Sequence, residues 1–116
     1  MDTPSKSYKE QLIAALRSGK YKQGSGLLSR FDGSYCCLGV LCEVMQIPKV
    51  ASTGVSGFIY GEDVAFFPYQ YLEQSGLNDT HGSSKTHDLS LVRMNDAGYS
   101  FNQIADAIEK GDYIGD

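Results

Sequence analysis

Cys37-Leu38-Gly39-Val40-Leu41-Cys42-Glu43-Val44-Met45 is the stretch that decides the fold. Leu38, Leu41, Cys42 and Met45 recur at i, i+3, i+4 and i+7, the period of one helix face. Cys37, Leu41 and Val44 widen that face, so the helix is apolar around most of its girth. Such a helix must be the central buried one, with other elements packed around it. Gly39 in its interior costs up to ~1 kcal/mol relative to Ala. That cost points to a neighbouring backbone that needs the space. Pro48 ends the helix.

Working outward, Asp32-Gly33 is a turn pair, and the short runs 27–31 and 33–36 on either side suit a hairpin. Before it, Ser7 to about Ser18 reads as a helix. Ser7 and Glu10 have capping-box spacing, Leu12, Ile13 and Leu16 make an apolar stripe, and Gly19 is the stop. Beyond Pro48, residues 49–57 read as loop. Phe58-Ile59-Tyr60 and Val64-Ala65-Phe66 flank Gly61-Glu62 as a second hairpin. Pro68 opens a short helix to Ser75, with Gly76 past its end. Residues 77–87 are a polar loop. Two further helices run from about Asp88 to Ala97 and from Ser100 to Lys110, the second with Ser100 and Gln103 as a capping box. The expectation is a single α+β domain over residues 1–116: four to five short helices around a central buried helix, with one or two small antiparallel β-hairpins.

The totals narrow the function. A chain of 116 residues with 41% apolar content can bury one core. No apolar run reaches the ~18 residues that span a bilayer. Met1 to Lys6 lacks the pattern of a secretion signal. Cys36, Cys37 and Cys42 are odd in number and crowded into an apolar run, so they read as reduced core thiols of a cytosolic protein. Residues 1–30 carry six Lys/Arg against two Asp/Glu, whereas residues 31–116 carry four against twelve. A net charge of −4 argues against a duplex-binding protein.

Chemistry-bearing patterns are sparse. Cys37 and Cys42 are roughly 140° apart on a helix and do not converge on a metal ion. His81 and His87 lack zinc spacing, and no phosphate-binding or dinucleotide fingerprint is present. Gly98-Tyr99-Ser100 with Gln103-Ile104-Ala105 matches the opening half of a helix-turn-helix. In that motif a recognition helix follows, and residues 111–116 are too few to form one. No catalytic residue, metal or cofactor is expected. The segment Arg17 to Gly26 combines cations, hydroxyls, an amide and three glycines after a helix, a composition suited to holding an anion. Its expected ligand-binding residues are Arg17, Lys20, Tyr21, Lys22, Gln23 and Ser25. Tyr21, or a tyrosine from residues 58–71 such as Tyr60, would stack on a base. Eight tyrosines and no tryptophan are the other excess, and Tyr99 and Tyr113 flank the last helix.

Three segments carry a resemblance. They are Leu16-Arg17-Ser18-Gly19-Lys20-Tyr21-Lys22-Gln23-Gly24, then Tyr35-Cys36-Cys37-Leu38-Gly39-Val40-Leu41-Cys42-Glu43-Val44, then Met94-Asn95-Asp96-Ala97-Gly98-Tyr99-Ser100-Phe101 with Ile104-Ala105-Asp106-Ala107-Ile108-Glu109. In these the sequence resembles a family of small bacteriophage and prophage proteins, most of them without an assigned function. Met94 stands where similar proteins usually have Leu, and residues 48–87 match only loosely. The resemblance implies a phage accessory protein in the cytoplasm of a bacterial host, acting against a host process or defence, with no catalytic residues to carry over. Two kinds of partner stay open. One is a small anionic, nucleotide-like ligand that the protein sequesters. The other is a host protein inhibited through an acidic, tyrosine-rich surface (Glu62, Asp63, Asp96, Asp106, Glu109). A homo-oligomer is compatible with either, a symmetric dimer being the default.

Overall fold

The computed structural model describes residues 7–115; the reading of Met1 to Lys6 lies outside them. Ten short elements follow one another: α1 (Tyr8–Arg17), β1 (Lys22–Gln23), β2 (Ser34–Tyr35), α2 (Cys37–Val44), β3 (Lys49–Ala51), β4 (Phe58–Tyr60), a 3-10 turn (Tyr69–Tyr71), α3 (Leu72–Ser75), α4 (Leu91–Asp96) and α5 (Phe101–Lys110). The fold is α+β, five helices with two small strand pairs.

The helix α2 is the hub that its apolar girth requires. Cys37 to Cys42 are all buried. Cys36 caps it, its Sγ accepting the Gly39 N–H at 3.4 Å. Gly39 is needed for the reason anticipated: a Cβ there would lie 1.7 Å from the Leu28 carbonyl oxygen. That same oxygen accepts the Cys36 N–H at 3.1 Å, so the 28–29 backbone is pressed onto the start of α2. Around the hub, α1 packs on α2 and α5, while α4 packs on α2 and α5. Phe101, Ile104, Ala105 and Ile108 are the buried face of α5. Its capping box is complete, with Gln103 N–H donating to Ser100 Oγ (3.1 Å) and Ser100 N–H to Gln103 Oε1 (2.9 Å).

The strands differ from the expected pairing. The Asp32-Gly33 turn forms, with Asp32 Oδ1 accepting from Ser34 N–H (2.9 Å) and Ser34 Oγ (2.7 Å). Its arms, however, shrink to the antiparallel bridge Ser29↔Tyr35. Instead β2 pairs in parallel with β1, through Lys22↔Ser34 and Gln23↔Tyr35. The second hairpin is re-partnered. Gly61 turns the chain at φ 63°, but β4 ladders with β3 (Lys49↔Tyr60, Val50↔Ile59, Ala51↔Phe58) and not with residues 64–66. All three residues of β3 are exposed, so they lack the burial alternation that marks a strand. An isolated bridge between Arg30 and Gly57 links the segments beside the two strand pairs, which remain separate sheets. The helix expected from Asp88 begins at Leu91, because Ser90 Oγ accepts the Arg93 N–H and caps it there (3.2 Å). No helix among the described residues is long and apolar enough to cross a membrane.

Candidate functional site

Within the basic, glycine-rich turn after α1, Arg17 and Gln23 are engaged by partners on and between α4 and α5. Arg17 Nη2 reaches Asp106 Oδ1 at 2.6 Å and Glu109 Oε1 at 3.0 Å, tying α1 to α5. These bonds, Glu109 first, raise the guanidinium above its ordinary value. Gln23 spends its whole amide: Nε2 donates to Asn95 Oδ1 (3.1 Å) and the Tyr99 carbonyl (2.7 Å), and Oε1 accepts the Phe101 N–H (3.1 Å). Tyr21 is half-buried and meets Tyr35 edge-on at 5.3 Å, with Lys20 Nζ 5.8 Å from its ring. Lys22 lies exposed on β1. Ser25 offers its carbonyl to Arg30 Nε at 2.9 Å.

Tyr60 is a correction. Its ring is 0% exposed, so it cannot stack on a base. Its hydroxyl donates to Glu43 Oε2 at 2.7 Å and meets Ser29 Oγ at 3.0 Å. Burial pushes that hydroxyl far above its usual pKa. Arg17, Tyr21 and Gln23 do border one shallow depression of about 250 Å³ at the start of α5, but Lys20, Lys22, Ser25 and Tyr60 do not line it. A phosphate there would find Arg17 facing two carboxylates and Gln23 already satisfied.

The residue that organises this region is Asn95, which sequence reasoning passed over. It is 3% exposed. Its Oδ1 accepts from Gln23 Nε2 and from the Cys37 N–H (3.2 Å), and its Nδ2 donates to the Gly24 carbonyl (2.7 Å). One amide thus links α4, the start of α2 and the glycine-rich turn. The available signal was a polar residue on the same helix face as Leu91 and Met94.

A different cleft gathers the features of a ligand site. It measures about 370 Å³ and lies between the 84–87 loop and the C-terminal half of α5. Met94 and Tyr113, each 2% exposed, form its floor, and Tyr99 stands at the rim with 37% exposure. Lys110 in the last turn of α5 supplies a cation, and no ion pair among the described residues engages it. His87 also lines the cleft. Its Nδ1 accepts the Leu89 N–H at 3.3 Å, so the proton of the neutral ring is assigned to Nε2, which becomes a donor. Tyr113 donates its hydroxyl to the Leu89 carbonyl at 3.0 Å, which fixes its ring in the floor. A dent of similar size beside Tyr69 has one carboxylate, Glu73, and no cation in its lining.

Asp112, just past α5, shapes the loop wall. Its carboxylate accepts from Ser84 Oγ, from the Lys85 N–H (3.2 Å) and from Thr86 Oγ1 (3.4 Å). The Ser84 bond, more than any other, holds this carboxyl below the usual range. The thiols behave oppositely. All three cysteines are free and buried, and desolvation pushes Cys36 up to about 11 and Cys37 and Cys42 well above their ordinary value. Among the described residues, no three His, Cys, Asp or Glu side chains are grouped to hold a metal ion.

A family model described as a domain of unknown function (DUF8296) matches residues 5–112. The chain belongs to that family. The match runs through the hub helix, the Asn95 linkage, the 84–87 loop and α5, and ends at the residue before Tyr113. No curated protein and no solved structure matches the chain.

Proposed function

We propose that the protein is a non-catalytic binding protein that captures a small anionic, nucleotide-like ligand in the cleft between the 84–87 loop and α5. The observation that carries this reading is the lining: an aromatic and thioether floor with Lys110, a cation that no ion pair among the described residues engages, and an imidazole, His87, at its edge. A planar ring would lie against Tyr99, which is 37% exposed, above the nearly buried Met94 and Tyr113, and the anionic group would face Lys110. The volume is at the small end of ligand pockets, roughly 300–1,000 Å³, which suits a mononucleotide-sized moiety. Binding without chemistry is favoured because a cysteine nucleophile needs exposure and a lowered pKa, whereas these thiols are buried with raised ones. The phage resemblance supplies the setting: sequestration of a host signal or metabolite in the bacterial cytoplasm.

A thermal-shift screen with mononucleotides, cyclic dinucleotides and ADP-ribose tests the reading. A ligand at 100 times its Kd stabilises by about 2.7 kcal/mol, and that gain should vanish in Lys110→Ala and Tyr99→Ala. Unshifted melting throughout, with co-purification of a host protein, would favour inhibition through the acidic surface. That second reading is weaker on the geometry, because Arg17 already pairs with Asp106 and Glu109.

A further inference from the structure

We propose that the 84–87 loop is an anion receptor whose resident occupant is the Asp112 carboxylate, and that the anionic group of the cleft's ligand takes the same donors. The inference rests on the cleft being the ligand site and adds how that site receives charge. Three donors from three successive residues, Ser84 Oγ, Lys85 N–H and Thr86 Oγ1, converge on this one carboxylate. Ser84 Oγ in turn accepts the N–H groups of Thr86 (3.0 Å) and His87 (2.9 Å), which curls the loop so that its donors point one way. Among the described residues, no backbone–backbone hydrogen bond holds residues 84–88. The carboxylate therefore does more than decorate a loop shaped by something else. Ser84 and Thr86 line the cleft with Lys110, so an anion that displaced Asp112 would bind against the cleft wall that these two hydroxyl residues form. Successive hydroxyl and backbone donors of this kind accept phosphate or carboxylate oxygens alike.

A carboxylate that merely pins a loop and one that stands in for a ligand respond oppositely to an added anion. In Asp112→Ala, amide exchange at residues 84–87 should accelerate. Acetate or inorganic phosphate should then restore protection, while chloride at matched ionic strength should not. No restoration, or equal restoration by chloride, would overturn the receptor. If Asp112→Ala does not fold, Asp112→Asn serves in its place. Removing the resident charge should tighten binding of inorganic phosphate by about tenfold or more relative to wild type, the scale of one like charge at contact distance. Unchanged or weaker phosphate binding would overturn the receptor as well. The two readings separate cleanly. Anion rescue without any nucleotide binding to wild type removes the nucleotide cleft and keeps the receptor. Nucleotide binding that depends on Lys110, without anion rescue, does the reverse.

Discussion

At Gly39 the intrinsic and the tertiary preferences oppose one another, and their magnitudes decide the winner. A helix gains up to ~1 kcal/mol from Gly→Ala, but the new methyl would meet the Leu28 carbonyl. Gly39→Ala should therefore lower stability by up to about 2 kcal/mol, since forcing an extra carbon into a packed core costs ~1–3 kcal/mol and the helix gain of up to ~1 kcal/mol offsets only part of it; urea unfolding measures it. Asn95→Ala strands the Cys37 N–H and the Gly24 carbonyl and takes one of its three partners from the Gln23 amide. With ~1–3 kcal/mol for each buried polar group left unsatisfied, a loss of about 3 kcal/mol is expected by the same measurement. Gly39 was legible in the sequence because a glycine inside a strong helix demands a neighbour. Asn95 was not, since an amide on a helix looks the same whether it faces water or three partners 58 to 72 residues away. Gln23 was misjudged for that reason: its apparent surplus of polarity is matched by partners at Asn95, Tyr99 and Phe101 that only folding brings near.

At the scale of elements, helices were easier to read than strands. Helix ends are written locally, by Ser7 before α1, Ser100 with Gln103 before α5, and Gly76 after α3. Ser100→Ala should thus cost about 1 kcal/mol, seen as a lowered melting temperature. The strands are two or three residues long and β3 is exposed throughout, so their pairing follows the chain's path around α2 and not any alternation in sequence. The 84–87 loop adds a pH dependence. Asp112 is held below its usual pKa, so its contribution is fully present above the unfolded value of about 3.9. It is lost as the pH falls through the lower folded value. The Asp112 carboxyl, followed by NMR, should titrate below the same residue in an unfolded peptide, and the 84–87 amide shifts should move with it. Titration of those amides above pH 4 would contradict the assignment. Asp32, depressed chiefly by its bond to the Ser34 hydroxyl, follows the same sign at the first turn.

At the scale of the molecule, charge and shape separate. The basic first quarter is brought against acidic α5, where Arg17 bridges Asp106 and Glu109 on the exposed α1–α5 seam. Exposed pairs are screened, so Arg17→Met should change stability little and that change should shrink with added salt. The sequence by itself determined the fold class, the hub helix and most helix ends, because these depend on period, capping and the size of side chains near in sequence. It also marked Tyr99 and Tyr113 as surplus aromatics beside the last helix. Tertiary structure alone decided where the chain forms a cleft. It buried Tyr60 and paired Arg17. It also set Lys110, His87 and the Asp112-bound loop around one concavity. A concavity is a relation between segments that are distant in the chain, and no local pattern of residues carries it.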